Sequence, residues 1–147
     1  MTQEQKDLLL KDLSSRLPYK VKVQIPDRYG DYIPVIESID IDGFVIDSEG
    51  SCFEVEKVKP YLFPLSSMTE EQALELYKLF GIKLTDSIGW DYIKINEVTG
   101  ITFFLRKGFD VETHLDKLID WLLKNHFDFR GLIPKGLAID ATNLNIY

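Results

Sequence analysis

The chain has little of several things: one cysteine, two histidines and six prolines in 147 residues. With Cys52 alone, no intramolecular disulfide can form. Cys52, His114 and His126 are its whole stock of soft metal ligands. That is too few for a structural zinc site, and the histidines are not at the i, i+4 spacing that puts two imidazoles on one helical face. The apolar runs fall short of the roughly eighteen residues a membrane span needs. The start, MTQEQKD, lacks the positive and apolar regions of a secretory signal. The expectation is a soluble, reduced, cytoplasmic protein that makes no use of a membrane.

Positive charge is also scarce. Seventeen Lys and Arg stand against twenty-four Asp and Glu, a formal net charge of −7. The deficit is even: residues 1–65 carry eight basic and twelve acidic side chains, and residues 66–147 carry nine and twelve. With no basic arm or tail, the chain repels phosphate backbones unless folding gathers residues such as Lys20, Lys22 and Arg28. Neither G-x-G-x-x-G nor the Walker pattern occurs, so the usual phosphate loops are absent. No G-x-S-x-G elbow is present, and Glu49 and Glu54 beside Cys52 would raise its thiol pKa rather than activate it.

What is present is a good supply of core-forming residues. Hydrophobic residues reach 45%, with nine Phe and seven Tyr, enough large apolar surface for a core without staples. Thr2 and Gln5 have capping-box spacing, and Leu9, Leu13 and Leu17 recur at helical intervals, so a helix is expected over residues 2–17, ended by Pro18. Val21, Val23 and Ile25 then alternate with polar residues, as in a half-buried strand. A turn over residues 27–31 leads to a second strand, over residues 32–41. Asp42-Gly43 is a hairpin signal, followed by a returning strand over 44–47 and another over 52–58. Four short strands at this spacing predict a small SH3-like antiparallel barrel or a bent sheet.

Pro60 and Pro64 bracket Tyr61, Leu62 and Phe63, read as a last edge strand or a hinge. The period then changes. Thr69 and Gln72 form a second capping box, opening a helix that Gly81 would stop. Residues 90–107 read as a hairpin that turns through residues 96–100. A third helix, capped by Asp110, is expected to reach Asn125. The tail from Phe127 to Ile139 is too apolar to hang free, so it should fold back on the core. The fold class is α+β: an N-terminal helix and β lobe over residues 1–65, then helix–hairpin–helix with a folded-back tail over 66–147, packed as one compact unit.

One constellation has the residue types of a reactive site. In an extended segment His126, Asp128 and Arg130 would project to one side, and Phe127 and Phe129 to the other. Such a trio could orient a general base or hold a carboxylate or phosphate. In the competing structural reading the two Phe rings anchor the tail, His126 caps the third helix, and Asp128 pairs with Arg130 in a local turn. That reading accounts for the segment without a ligand. The acidic run Asp40, Asp42, Asp47 and Glu49 fails the calcium-loop spacing and reads as a hairpin rim. Tyr19, Tyr29, Tyr32, Tyr61 and Phe63 could stack bases on a small barrel, but the acidic charge argues against nucleic acid.

The phrases KDLLLKDLSSRLPY (residues 6–19), VKPYLFPLSSMTEE (58–71) and NHFDFRGLIPKGLA (125–138) resemble a group of small proteins without assigned function. They occur in gut bacteria and in bacteriophages or integrated mobile elements. The resemblance does not extend over residues 86–107. It implies a compact cytoplasmic accessory protein and supplies no activity, cofactor or catalytic residue. The leading expectation is a protein-interaction or regulatory module. Its candidate surfaces are Tyr61 to Phe63 and the tail with His126 and Arg130. The alternatives are a nucleic-acid-binding β protein and an enzyme using His126, Asp128 and Arg130.

Overall fold

The fold is that of a computed structural model, which describes residues 1–25, 33–79, 93–96, 100–103 and 115–147. The expectations for the turn at 27–31, for Arg28, Tyr29, Tyr32, Gly81 and Asp110, and for His114 lie outside the described residues. In chain order the elements are α1 (Gln3–Arg16), β1 (Val23–Gln24), β2 (Ile36–Ile39), β3 (Phe44–Asp47), β4 (Cys52–Glu54), β5 (Lys59–Leu62), α2 (Glu70–Leu79), β6 (Ile93–Asn96), β7 (Gly100–Phe103), α3 (Leu115–Lys124) and β8 (Ile139–Asp140). The α+β class expected from the sequence is the one observed.

The first helix starts as the capping box requires. Thr2 Oγ1 accepts from the Gln5 N–H at 3.2 Å, and Gln5 Oε1 accepts from the Thr2 N–H at 2.9 Å. Leu9 and Leu13 are fully buried against the sheets. Pro18 sits early in a 3₁₀ turn over Leu17–Tyr19, and Lys20 at φ +54° completes the change of direction. The Tyr19 hydroxyl donates to Asp120, fastening this turn to α3.

Two three-stranded sheets follow, with orders β1-β5-β8 and β2-β3-β4, and neither closes into a barrel. They are stitched where Lys22 bridges Val35: the Val23 N–H donates to Pro34 O at 3.0 Å, and the Ile36 N–H to Val21 O at 3.1 Å. The expected strand over 52–58 stops at Glu54. A 3₁₀ turn over Val55–Lys57 instead turns Val55 and Val58 into the core. The hairpin between β2 and β3 forms where Asp42-Gly43 marks it, as a three-residue loop in which the Gly43 N–H donates to Asp40 O at 3.1 Å. Gly43 takes φ +82°, and Asp40 Oδ1 accepts from the N–H groups of Asp42 (2.9 Å) and Phe44 (2.8 Å).

The segment read as an edge strand or hinge is the centre of its sheet. β5 pairs antiparallel with β1 and parallel with β8. The proline was the reason for expecting an edge, since it cannot donate to a ladder. Here the Tyr61 N–H points to the O of Lys22, the residue just before β1, so by alternation Pro60 N faces the β8 side, where pairing begins only at Tyr61. Pro60 loses no ladder bond, and a central strand tolerates it.

Beyond β5, Thr69 and Gln72 form the second capping box, with hydrogen bonds of 2.9 and 3.2 Å. β6 and β7 pair antiparallel, Ile93 opposite Phe103 and Asn96 opposite Gly100, as the hairpin reading requires. Leu65, Leu76, Leu118, Trp121, Leu122 and Phe127 form one apolar cluster. A larger one gathers α1, both three-stranded sheets and, from the tail, Leu132, Leu137 and Ala138. The tail does fold back. It lies beside the β5 segment twice, with Phe127 against Phe63 and then β8 against Tyr61 and Leu62.

Candidate functional site

The tail residues singled out in the sequence come together, but not as an extended strip. The end of α3 is a Schellman cap: the Phe127 N–H donates to Leu122 O at 2.9 Å and the His126 N–H to Leu123 O at 3.1 Å. His126 therefore occupies the left-handed position, φ +57°, where glycine is usual. It caps the helix with its backbone. Its imidazole is free to stack on Tyr147, with centroids 3.9 Å apart and 13° between planes. The Tyr147 hydroxyl sits between two strands, accepting from the Lys22 N–H at 3.1 Å and donating to Tyr61 O at 2.9 Å. The Lys22 ammonium donates to Ile146 O and lies 5.4 Å from the Tyr147 ring centroid.

These contacts set the protonation states. Burial, and then the positive charges of Arg16 and Lys22, push His126 down to about 4. Burial of the hydroxyl pushes Tyr147 up to about 12, against the opposing effect of the Lys22 N–H. A histidine held neutral to such low pH is a weak general base near neutrality.

Asp128 and Arg130 also have structural partners. Asp128 is buried, and its two carboxylate oxygens accept from the Leu132 N–H (2.8 Å) and the Ile133 N–H (2.7 Å), closing the loop that returns to β8. Arg130 does not form the expected local pair with Asp128. It reaches α1, where Nη1 meets Asp12 Oδ1 at 2.7 Å and Nη2 meets Ser15 Oγ at 3.3 Å. The carboxylate of Asp128 is already taken by two backbone donors, and the guanidinium finds the buried carboxylate of Asp12 instead.

Asp12 and Arg16 were missed in the sequence, and both are fully buried. Arg16 Nε donates to Asp12 Oδ2 at 2.7 Å, Nη2 to Asp12 Oδ1 at 3.2 Å, and Nη2 also to Phe127 O at 2.8 Å. Two guanidinium groups thus converge on one carboxylate. Both lie over the Phe129 ring, Arg130 at 4.6 Å and Arg16 at 5.9 Å from its centroid. A signal was present: Leu9, Asp12, Leu13 and Arg16 stand at i, i+3, i+4 and i+7, one face of a helix. Opposite charges spaced i, i+4 on an apolar face mark an ion pair that the core encloses.

The other sequence candidates face inward. Tyr61 is buried in β5, and Phe63 is half-buried, its ring centroid 6.4 Å from Phe127 and 5.8 Å from Tyr147. Among the described residues the large exposed apolar side chains are Met1, Leu79, Leu144 and Tyr147, and two at the tip of the β2–β3 hairpin. Ile41 is fully exposed and Phe44 is 38% exposed. Next to this tip is an open cleft of about 120 Å³ lined by Lys6, Asp42, Gly43, Phe44, Glu54, Val55 and Glu56. Lys6 pairs with Glu56 at 3.2 Å across it. Among the described residues no group of three or more His, Cys, Asp or Glu is placed to hold a metal ion. No helix among them is long and apolar enough to cross a membrane.

Comparison of the chain with protein-family models, with curated proteins and with solved structures gives no match.

Proposed function

We propose that the chain is a small protein-interaction module, and that its docking face is the β2–β3 hairpin tip with the cleft next to it. The observation that carries this is Ile41, a large apolar side chain held in full solvent by a hairpin whose turn is fixed by Asp40 and Gly43. A rigid turn that presents an apolar residue to water is the form of an interface anchor. The tail supports the same reading by default: His126, Asp128 and Arg130 are engaged in a cap, a loop closure and a buried ion cluster, which leaves an enzymatic use of them without a free base. The accessory role in a phage or mobile element that the resemblance implies belongs to this proposal. So does an SH3-like relation of the two sheets, for which the Lys22–Val35 stitch is the support.

The test is affinity capture of partners with the wild-type chain and with Ile41→Ser, after checking that both unfold at the same denaturant concentration. A protein retained by the wild type and lost from Ile41→Ser supports the module and its face. Equal capture by both, or none by either, counts against it.

A further inference from the structure

We infer that the hairpin-tip face takes a peptide segment carrying Lys or Arg beside one apolar side chain; this rests on the interaction reading above and names its partner's chemistry. Three carboxylates line the cleft, Asp42, Glu54 and Glu56, against the single ammonium of Lys6. Lys6 is committed to Glu56 at 3.2 Å, and Glu54 has only a loose partner in Lys57 at 3.6 Å, with both of those side chains more than half exposed. An exposed pair of this kind is held weakly and gives way to a better-placed cation. Asp42 flanks Ile41 on the exposed turn, so negative charge and apolar surface share one edge. The chain's net charge of −7 adds long-range attraction for a basic partner.

The cleft's size fixes the scale of the contact. About 120 Å³ is the share of roughly four waters in the liquid, room for one side chain rather than a folded surface. Val55 and Phe44 give it apolar lining beside the carboxylates. One apolar anchor flanked by cations fits that arrangement. An acidic segment would place like charges together, and a wholly apolar one would desolvate the lining carboxylates without bringing them a further cation.

The experiment is panning of a displayed library of random 12-residue peptides against the full chain, with Ile41→Ser and Asp42→Asn/Glu54→Gln as parallel baits. The expected pool carries Lys or Arg within a few positions of an apolar residue. Its synthetic representatives should bind the wild type at least tenfold more tightly than either variant, and weaken as salt rises from 50 to 500 mM. Peptides that depend on Ile41 but lack basic residues, or that ignore Asp42→Asn/Glu54→Gln, would overturn the partner chemistry and leave the module reading intact. A pool indifferent to Ile41→Ser would overturn both.

Discussion

Arg130 Nη1 lies 2.7 Å from Asp12 Oδ1 across 118 residues of sequence, with the Asp12 side chain fully buried and that of Arg130 only 16% exposed. This bond ties the C-terminal tail to the first helix. Arg16 completes the cluster and fastens the same junction through Phe127 O. Its Nη1 finds no hydrogen-bond partner among the described residues. Two cations on one carboxylate, enclosed by Leu and Phe, tolerate the loss of a cation better than the loss of the anion.

Asp12→Ala is therefore expected to be the most damaging single change in the cluster. It leaves two guanidinium groups facing each other without a counter-charge, at a cost of about 3–5 kcal/mol. Arg130→Ala should cost less, because Asp12 keeps both bonds from Arg16. The triple change Asp12→Ala/Arg16→Met/Arg130→Leu should recover much of the loss, since it removes the charges together. Urea midpoints at constant m-value give the order. A triple variant less stable than Asp12→Ala would refute the account of an uncompensated buried charge.

The loop from Asp128 to β8 hangs on one carboxylate. Asp128→Ala removes the acceptor for two backbone N–H groups and should cost about 1–3 kcal/mol. Asp128→Asn keeps one acceptor oxygen and should lose roughly half as much. Hydrogen exchange at Leu132 and Ile133 reads this locally. Protection there should fall in Asp128→Ala by more than global unfolding explains. Unchanged protection would mean that the loop is held by its apolar contacts alone.

Much of this architecture is legible in the residues. The two capping boxes, Asp42-Gly43, the β6–β7 hairpin and the apolar tail all announce themselves through local chemistry, and each forms where it is expected. What escapes local reading depends on tertiary partners. Pro60 looks like an edge residue because its own peptide lacks a donor, yet only the register with β1 and β8 decides whether a donor is needed there. His126, Asp128 and Arg130 alternate like a strand face, but a helix cap at φ +57° breaks the alternation at its first member. Asp12 and Arg16 look solvent-facing by residue type until the periodicity of Leu9 and Leu13 is drawn through them. Ile41 reads as one more strand residue, and only the turn geometry puts it in water.

Gly43 tests how far the hairpin depends on backbone geometry. Its φ of +82° disfavours any side chain, and an added Cβ would come within 3.3 Å of Leu10 Cδ1 on α1. Gly43→Ala is expected to cost about 1–2 kcal/mol, mostly strain, since a leucine methyl can move aside. Ile41→Ser, two residues earlier, should fall within about 0.5 kcal/mol of wild type. Thermal midpoints compare the two directly. An equal cost at both positions would show that Ile41 packs on the protein rather than standing in solvent.

Burial of the His126 imidazole, with the charges of Arg16 and Lys22 beside it, gives the chain a pH dependence whose sign is fixed by the direction of the shift. The native imidazole is held neutral down to about 4, whereas the unfolded chain takes up its proton near 6.5. Between those values the unfolded state binds more protons, so stability falls as pH drops from about 6.5 to about 4. Above that window the group contributes no slope, and below it the loss is complete. The loss should amount to about 1–3 kcal/mol, allowing for solvent access to a half-buried ring. Carboxylates titrate in the lower part of the same range, so the comparison is with His126→Asn, which accepts the left-handed backbone and carries no titrating group. The wild type should lose more stability than His126→Asn between pH 6.5 and 4.5, and NMR titration of the ring protons should place its midpoint near 4. Parallel curves with a midpoint near 6.5 would mean that the imidazole is solvated and that the stack does not hold.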